Sequence, residues 1–252
     1  MTNLGLSILV FCCLAGSALA MLFAYPRLPA RHRDEATETV LRLVAGIFTL
    51  MTSLVFGLMI NSARSTYDGI EADVHTFATQ LIILDRSLRH YGPPGDEARE
   101  ALNAYVEAAI ASPARAADAL HAKADPAGAA LEQLGNVLAA VQPSDRYRQE
   151  VMLDIRGQYR SIVERRWEIV EQSEGSIPHE MIAMLIAWLS LVFAGFGFRA
   201  PRNAVVIGAF IASSLLLAGS FYLVLDMNVP FSGPIQVSDM PLRRALAEIG
   251  SP

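Results

Sequence analysis

The sequence predicts an all-α protein with four transmembrane helices and a long helical stalk domain inserted between spans two and three. Three observations lead there. Hydrophobic residues make up 53% of the 252-residue chain and charged residues only 18%, against roughly a quarter charged in a soluble domain. The apolar excess gathers in four runs near the two ends. Between the second and third runs lie about 115 residues of ordinary soluble composition with a regular three-four hydrophobic spacing. Backbone polar groups cannot stay unpaired in lipid, so runs long enough to cross it must be helices.

The first run, Leu4 to Ala24, holds twenty-one uncharged residues, about what a hydrocarbon core of ~30 Å requires. Ala18-Leu19-Ala20 has the form of a signal-peptide cleavage site. No Lys or Arg precedes the run, however, and it continues through Met21-Leu22-Phe23-Ala24, so a retained helix is the better reading. The second run, Val40 to Ile60, carries only Arg42, near its start. The third, Met181 to Phe198, follows Pro178 and Glu180, and Arg199 and Pro201 close it. The fourth, Ala204 to Leu225, is uncharged. Gly16, Gly195, Gly197, Gly208, Ala212 and Gly219 offer small faces for close helix approach. No ionisable residue lies mid-span, which argues against a proton-coupled transporter.

In the stalk, Ile70, Val74, Phe77, Leu81, Leu84, Leu88 and Tyr91 alternate steps of four and three, the seam of a coiled coil. No Pro interrupts Val40 to Tyr91, so the second span and this seam read as one helix. Stepped back into the membrane, the same stripe passes through Tyr67, Ala63, Ile60, Phe56, Ser53, Thr49 and Gly46. Gly92-Pro93-Pro94-Gly95 ends that helix. The next face is Ala98, Leu102, Val106 and Ile110, followed by an Ala-rich stretch from Ala114 to Ala130 that is weakly specified and the natural mobile part. Leu131, Leu134, Leu138 and Val141 continue an apolar face. Ser144 is the expected N-cap of the last long stalk helix. Its seam is Met152, Ile155, Tyr159, Ile162 and Ile169, and Arg166 interrupts it. After span four, Ser232-Gly233-Pro234 is a turn, and Ser238 or Asp239 can cap a short final helix through Leu246. The division is therefore 1–62 for spans one and two, 63–177 for the stalk, 178–225 for spans three and four, and 226–252 for the terminal turn and helix.

The short connections hold Arg27, Arg31, Arg33, Arg199 and Arg202, against mainly Arg64, Arg165 and Arg166 near the membrane on the other face. The positive-inside rule then places the short loops in the cytoplasm and leans the stalk toward the opposite side of the membrane.

The residues speak for few chemistries. A net charge of -5 with one lysine, Lys123, offers no basic surface for nucleic acid. The two cysteines, Cys12 and Cys13, are neighbours inside an apolar run, which fits neither a disulfide framework nor a zinc site. No nucleophile-base set, P-loop or dinucleotide fingerprint occurs, so neither an enzyme nor a cofactor is expected. Asp68, Glu71 and His75 could share a helix face and hold a divalent ion with partners from other chains, although solvated face charges explain the same pattern, and no metal is expected.

Asn61-Ser62-Ala63-Arg64-Ser65-Thr66-Tyr67-Asp68, Leu84-Asp85-Arg86 with Tyr91-Gly92-Pro93, and Pro230-Phe231-Ser232-Gly233…Val237-Ser238…Pro241-Leu242 together resemble the bestrophin-like domain family of bacterial membrane proteins. A more distant resemblance links that family to the bestrophins, which are pentameric anion channels. It implies four spans, a large helical insertion, and a second span lining a hydrophobic neck, which maps onto Phe56 and Ile60. The acidic run that forms the bestrophin calcium clasp is absent here, so calcium gating is not implied. Bestrophin topology would put the large domain in the cytoplasm, against the charge count. The resulting expectation is a homo-oligomeric channel for small anions in the lipid bilayer, with Thr49, Ser53, Phe56 and Ile60 lining the pore. The rival is a membrane-anchored scaffold or sensor whose stalk binds a partner without conduction.

Overall fold

The computed structural model describes residues 3–29, 34–111, 125–172, 177–229, 231 and 233–251. The described residues are helical, without strands, and four helices are long and apolar enough to cross a membrane. The helices are α1 (Asn3–Ala24), α2 (Glu35–Tyr91), α3 (Asp96–Ala111), α4 (Pro126–Ala140), α5 (Arg146–Gln172), α6 (His179–Gly197), α7 (Ala204–Met227) and α8 (Met240–Ile249). Arg31, Arg33, Pro230, Ser232 and the Ala-rich residues from 114 to 124 lie outside the described residues. The chain divides into two compact units, Met1–Ser65 with Ser176–Asn228, and Thr66–Gly175 with Val229–Pro252.

In the first unit, α1 packs against α6 and α7. Val10, Leu14, Ala18 and Leu22 of α1 are buried, with Leu185, Leu189 and Phe193 of α6 and Phe221 and Val224 of α7. The spacing of the α1 residues is four throughout, one face of an α-helix. Lipid supplies no hydrophobic drive between helices, so close packing must hold them. At Gly197 α6 passes close to α1, since a Cβ built there would sit 2.4 Å from the Ala18 carbonyl oxygen. Gly195 faces the Ala45 Cβ at 3.3 Å, but Gly16, Gly208 and Gly219 have open space around them. Close approach within the chain therefore uses only part of the expected small-residue set. Gly197→Ala should lower stability by about 1–3 kcal/mol, because the obstructing atom is backbone and cannot rotate away. Gly208→Ala should be neutral or slightly stabilising, because Ala is the better helix former and meets nothing. Thermal melting of the two variants side by side checks the difference.

At the short-loop end, arginines satisfy the free carbonyls of α1. Arg202 donates to Leu22 O (3.2 Å) and Phe23 O (2.9 Å), and Arg27 donates to Phe23 O (2.8 Å). A cation at a helix C-terminus both bonds the orphan carbonyls and opposes the dipole. Arg42 bonds Glu38 at 2.7 Å, and Arg199 pairs with the same carboxylate. Several arginines behind the orientation argument thus also tie helix ends together.

The second unit is built on the far part of α2. All seven seam residues from Ile70 to Tyr91 are buried, and the surrounding core takes Leu102, Tyr105 and Val106 from α3, Leu131, Leu134 and Leu138 from α4, Met152, Ile155 and Ile162 from α5, and Leu242, Ala245 and Ile249 from α8. Each fully buried Leu or Ile contributes roughly 2 kcal/mol of transfer free energy. α2 stops where the sequence stops it. Gly92 takes φ +90 and its N–H returns to Leu88 O (3.3 Å) and Arg89 O (3.1 Å), a left-handed terminus that suits glycine. Gly95 then passes so close to the Leu88 carbonyl that a Cβ would lie 2.9 Å from its oxygen.

One cap and one helix end differ in detail from the sequence reading. The N-cap of α5 is Asp145 rather than Ser144, since Asp145 Oδ1 accepts from the Arg148 amide at 2.7 Å. A carboxylate one residue nearer the helix serves the orphan amide better and also favours the positive helix end. The terminal helix α8 begins after Asp239, with Ser238 Oγ accepting from the Met240 amide at 3.2 Å, and runs to Ile249 rather than Leu246.

Candidate functional site

Within its own unit, α2 covers one narrow face. Ala45, Thr52, Met59 and Ala63 are buried, and Phe48 and Phe56 are half-buried, against Trp188 (6.3 Å between ring centroids) and Phe221 (4.9 Å). At about 100° per residue these positions span about 80°, a little under a quarter of the helix circumference. The rest is uncovered by the chain itself.

The uncovered surface has two arcs of different chemistry. One carries Leu43, Val44, Ile47, Met51, Leu54 and Leu58, all exposed and apolar, the surface expected to meet lipid tails. The other, next to the covered face, carries Gly46, Thr49, Ser53, Gly57 and Ile60, exposed but small or polar except for Ile60, and the exposed Leu50 and Asn61 stand where the two arcs meet. Three of the four sequence-predicted lining residues, Thr49, Ser53 and Ile60, lie on this arc, with Ile60 41% exposed. Phe56 sits at its edge, tilted against Phe221. The four are therefore brought onto one side of the helix, with Phe56 held by a neighbour and the others unheld.

The hydroxyls are not idle. Thr49 Oγ1 donates to Ala45 O and Ser53 Oγ donates to Thr49 O, both at 2.8 Å. Such i−4 bonding satisfies a hydroxyl within its own helix. In this rotamer each hydroxyl presents acceptor lone pairs outward, and binding an anion there requires the O–H to leave its carbonyl.

Asp68 and His75 stand exposed on α2 and Glu71 is half-buried. Among the described residues no three His, Cys, Asp or Glu side chains gather as a metal group. The extension of the small arc through Gly57, with Asn61 at its border, was missed by a stripe drawn at strict three-four spacing, although both are one step from a stripe position. A second feature outside the stripe is Asp85, 2% exposed, which joins Arg89 (2.8 Å) and Arg99 (2.9 Å). Arg89 also donates to the carbonyls of Glu248, Ile249 and Ser251 at the end of α8. An Asp-to-Arg step of four residues was the available signal.

Comparison with known proteins bears on this arrangement. The fold is similar to that of a point variant of a bacterial bestrophin homologue from Klebsiella pneumoniae, with TM-score 0.65 at 13% identity over 97% of this chain and 99% of that one. A second point variant of a bacterial bestrophin homologue from Klebsiella pneumoniae gives 0.52 at 13% identity with the same coverage. A membrane-protein crystal structure gives 0.54 at 12% identity over 96% of both chains. Identities this low speak to fold alone. Among curated proteins none matches the chain in sequence. The family model of the bestrophin-like domain matches residues 12–242, nearly the full length and both units, and the chain therefore belongs to the bestrophin-like domain family.

Proposed function

We propose that the protein is a homo-oligomeric ion channel of the bacterial inner membrane, passing small anions along an axis lined by Thr49, Ser53, Phe56 and Ile60 of α2. The observation that carries this reading is the split of the uncovered surface of α2. A helix that met only lipid on that side would gain from large apolar residues all round, as on the Leu43–Leu58 arc. Glycines, hydroxyls and Asn61 in lipid gain nothing, whereas against neighbouring copies and a water-filled axis they pack closely and are solvated. Residues 63–177 form the inserted stalk in this reading, with the seam from Ile70 to Tyr91 as its coiled-coil spine and residues 178–225 returning to the membrane. The segment 226–252 closes the stalk.

Permeation needs no covalent chemistry. Phe56 and Ile60 repeated around an axis make an apolar constriction, where an ion must shed water without compensating partners. Such a ring gates by dewetting. Thr49 and Ser53 offer oxygens on the far side of that constriction, and turning an O–H from its carbonyl toward an anion supplies the donor that selectivity requires.

Particle symmetry in nanodiscs tests the geometry. Rotational symmetry with three or more copies and the Thr49–Ile60 arc facing the axis is the expected result. Monomers, or oligomers with that arc turned to lipid, would leave the scaffold reading as the better account. Orientation is a separate prediction. A reporter active only in the periplasm, fused near Pro126, should give signal. Silence there, with fluorescence from a cytoplasmic reporter at the same site, would reverse the orientation.

A further inference from the structure

The seam of α5 contains a charge where an apolar residue belongs. Ile162 and Ile169 are buried on either side, and Arg166 between them has a side chain only 11% exposed. An arginine so placed is costly unless paired, and an apolar residue of the same volume is often the more stable choice. Its pair is Asp125, whose Oδ1 also caps α4 by accepting from the Gly128 amide at 2.9 Å. Gly128 leaves room for the pair, since a Cβ there would fall 2.8 Å from the Asp125 carboxyl carbon and 3.4 Å from an Arg166 nitrogen.

Arg166, Asp125 and Tyr105 line a cavity of about 90 Å³. Most of the remaining wall is apolar, with Phe77, Ala109, Ile169, Leu242 and the C-terminal residues Phe231 and Val237, and Ser238 and Asp239 close its C-terminal rim. Phe77 and Tyr105 meet edge to face at 6.4 Å. No residue of the α2 arc lines the cavity.

The polar corner selects what could enter. Arg166 and Asp125 neutralise each other and Asp239 is paired with Arg243 at 2.8 Å, so the lining favours no net charge. Arginine only donates, so toward Arg166 the Tyr105 oxygen acts as acceptor, and its O–H is a group able to donate to an occupant. Burial holds the Tyr105 pKa well above its ordinary value, which keeps that donor neutral at physiological pH. For scale, an apolar cavity of about 150 Å³ takes up benzene, and this one suits a somewhat smaller body. We propose that the cavity is a binding site for a small, neutral, compact apolar molecule bearing one acceptor oxygen, the chemistry of a short-chain alcohol or ketone. Tyr105 donates to its oxygen, and Phe77, Ile169 and Leu242 enclose its carbon body. Because five segments meet there, an occupant ties the C-terminal residues to α2, α3 and α5.

The probe is 3-azibutanol, a diazirine-bearing alcohol, photolysed with the full chain in nanodiscs and located residue by residue by mass spectrometry. The expected result is saturable adducts on Tyr105, Asp125 or Asp239, suppressed by excess 1-butanol. Ala109→Leu, which fills the cavity from α3, should reduce them at least fivefold. Tyr105→Phe keeps the ring and removes the donor, and should reduce them about threefold or more at sub-saturating probe. Labelling that rises linearly with probe, spreads over the membrane helices, or persists undiminished in folded Ala109→Leu overturns the site. If Ala109→Leu fails to fold, Tyr105→Phe decides alone, and labelling equal to wild type overturns it.

Discussion

Replacing Asp85 by Ala should destabilise the protein by about 3 kcal/mol or more. The carboxylate is nearly inaccessible and accepts from Arg89 Nε at 2.8 Å and Arg99 Nε at 2.9 Å, one from its own helix and one from α3. Removing it leaves two guanidinium groups, each about 30% exposed at the side chain, close together without their counter-charge. Breaking a buried pair from one side typically costs about 3–5 kcal/mol, and partial exposure of the arginines places this case near the lower end. The effect should spread to the C-terminus, because Arg89 orients three carbonyls of the α8 terminus, and Arg86 bonds Glu248 at 2.9 Å nearby. Asp85→Asn keeps shape and one acceptor and should cost less. Arg99→Ala in the Asp85→Ala background should cost much less than in wild type, since the charge it neutralises is already gone. Melting temperatures of wild type, the three single variants and the double variant check the set, and an Asp85→Ala protein that melts with wild type would remove this network from the account of the second unit.

That network shows where sequence reading stopped. The seam from Ile70 to Tyr91 was legible because burial on one face of a helix imposes a period, and every one of those positions is buried. The stop at Gly92 was legible because proline and glycine act locally. Asp85 was not, because a charge beside Leu84 reads as the solvent side of the helix, and one of its partners lies fourteen residues away on α3. Arg166 was visible as a break in the α5 seam, but its meaning depends on Asp125, forty-one residues earlier. Small residues mislead for a related reason. Gly197 and Gly208 look alike in sequence, and only the path of α1 past Ala18 separates a close approach from open space.

The membrane stripe was legible in part. Periodicity placed Thr49, Ser53, Phe56 and Ile60 on one side of α2, and they are there. It carried no information on which of them a neighbour covers. Phe56 meets Phe221, so Phe56→Ala opens a hole in the subunit's own packing as well as altering any constriction. Ile60 has no such double role and is the cleaner probe.

Ion flux through reconstituted vesicles is the most direct test that this arc lines an ion path. A hydroxyl at position 60 gives a permeating ion or its water a partner inside an apolar ring. Lowering the barrier by about 1–2 kcal/mol, the scale of one hydrogen bond, raises flux by roughly five- to thirtyfold. Ile60→Ser should therefore leak strongly relative to wild type, and Phe56→Ala should do so with a stability cost. Thr49→Ala should shift the preference among chloride, nitrate, sodium and potassium more than the total flux. Leu58→Ala, on the exposed apolar arc, should change neither. Ile60→Ser vesicles that pass chloride many times faster than wild type, with Leu58→Ala unchanged, are the predicted result. Wild type and all four variants equally impermeable to all four ions would contradict the channel reading.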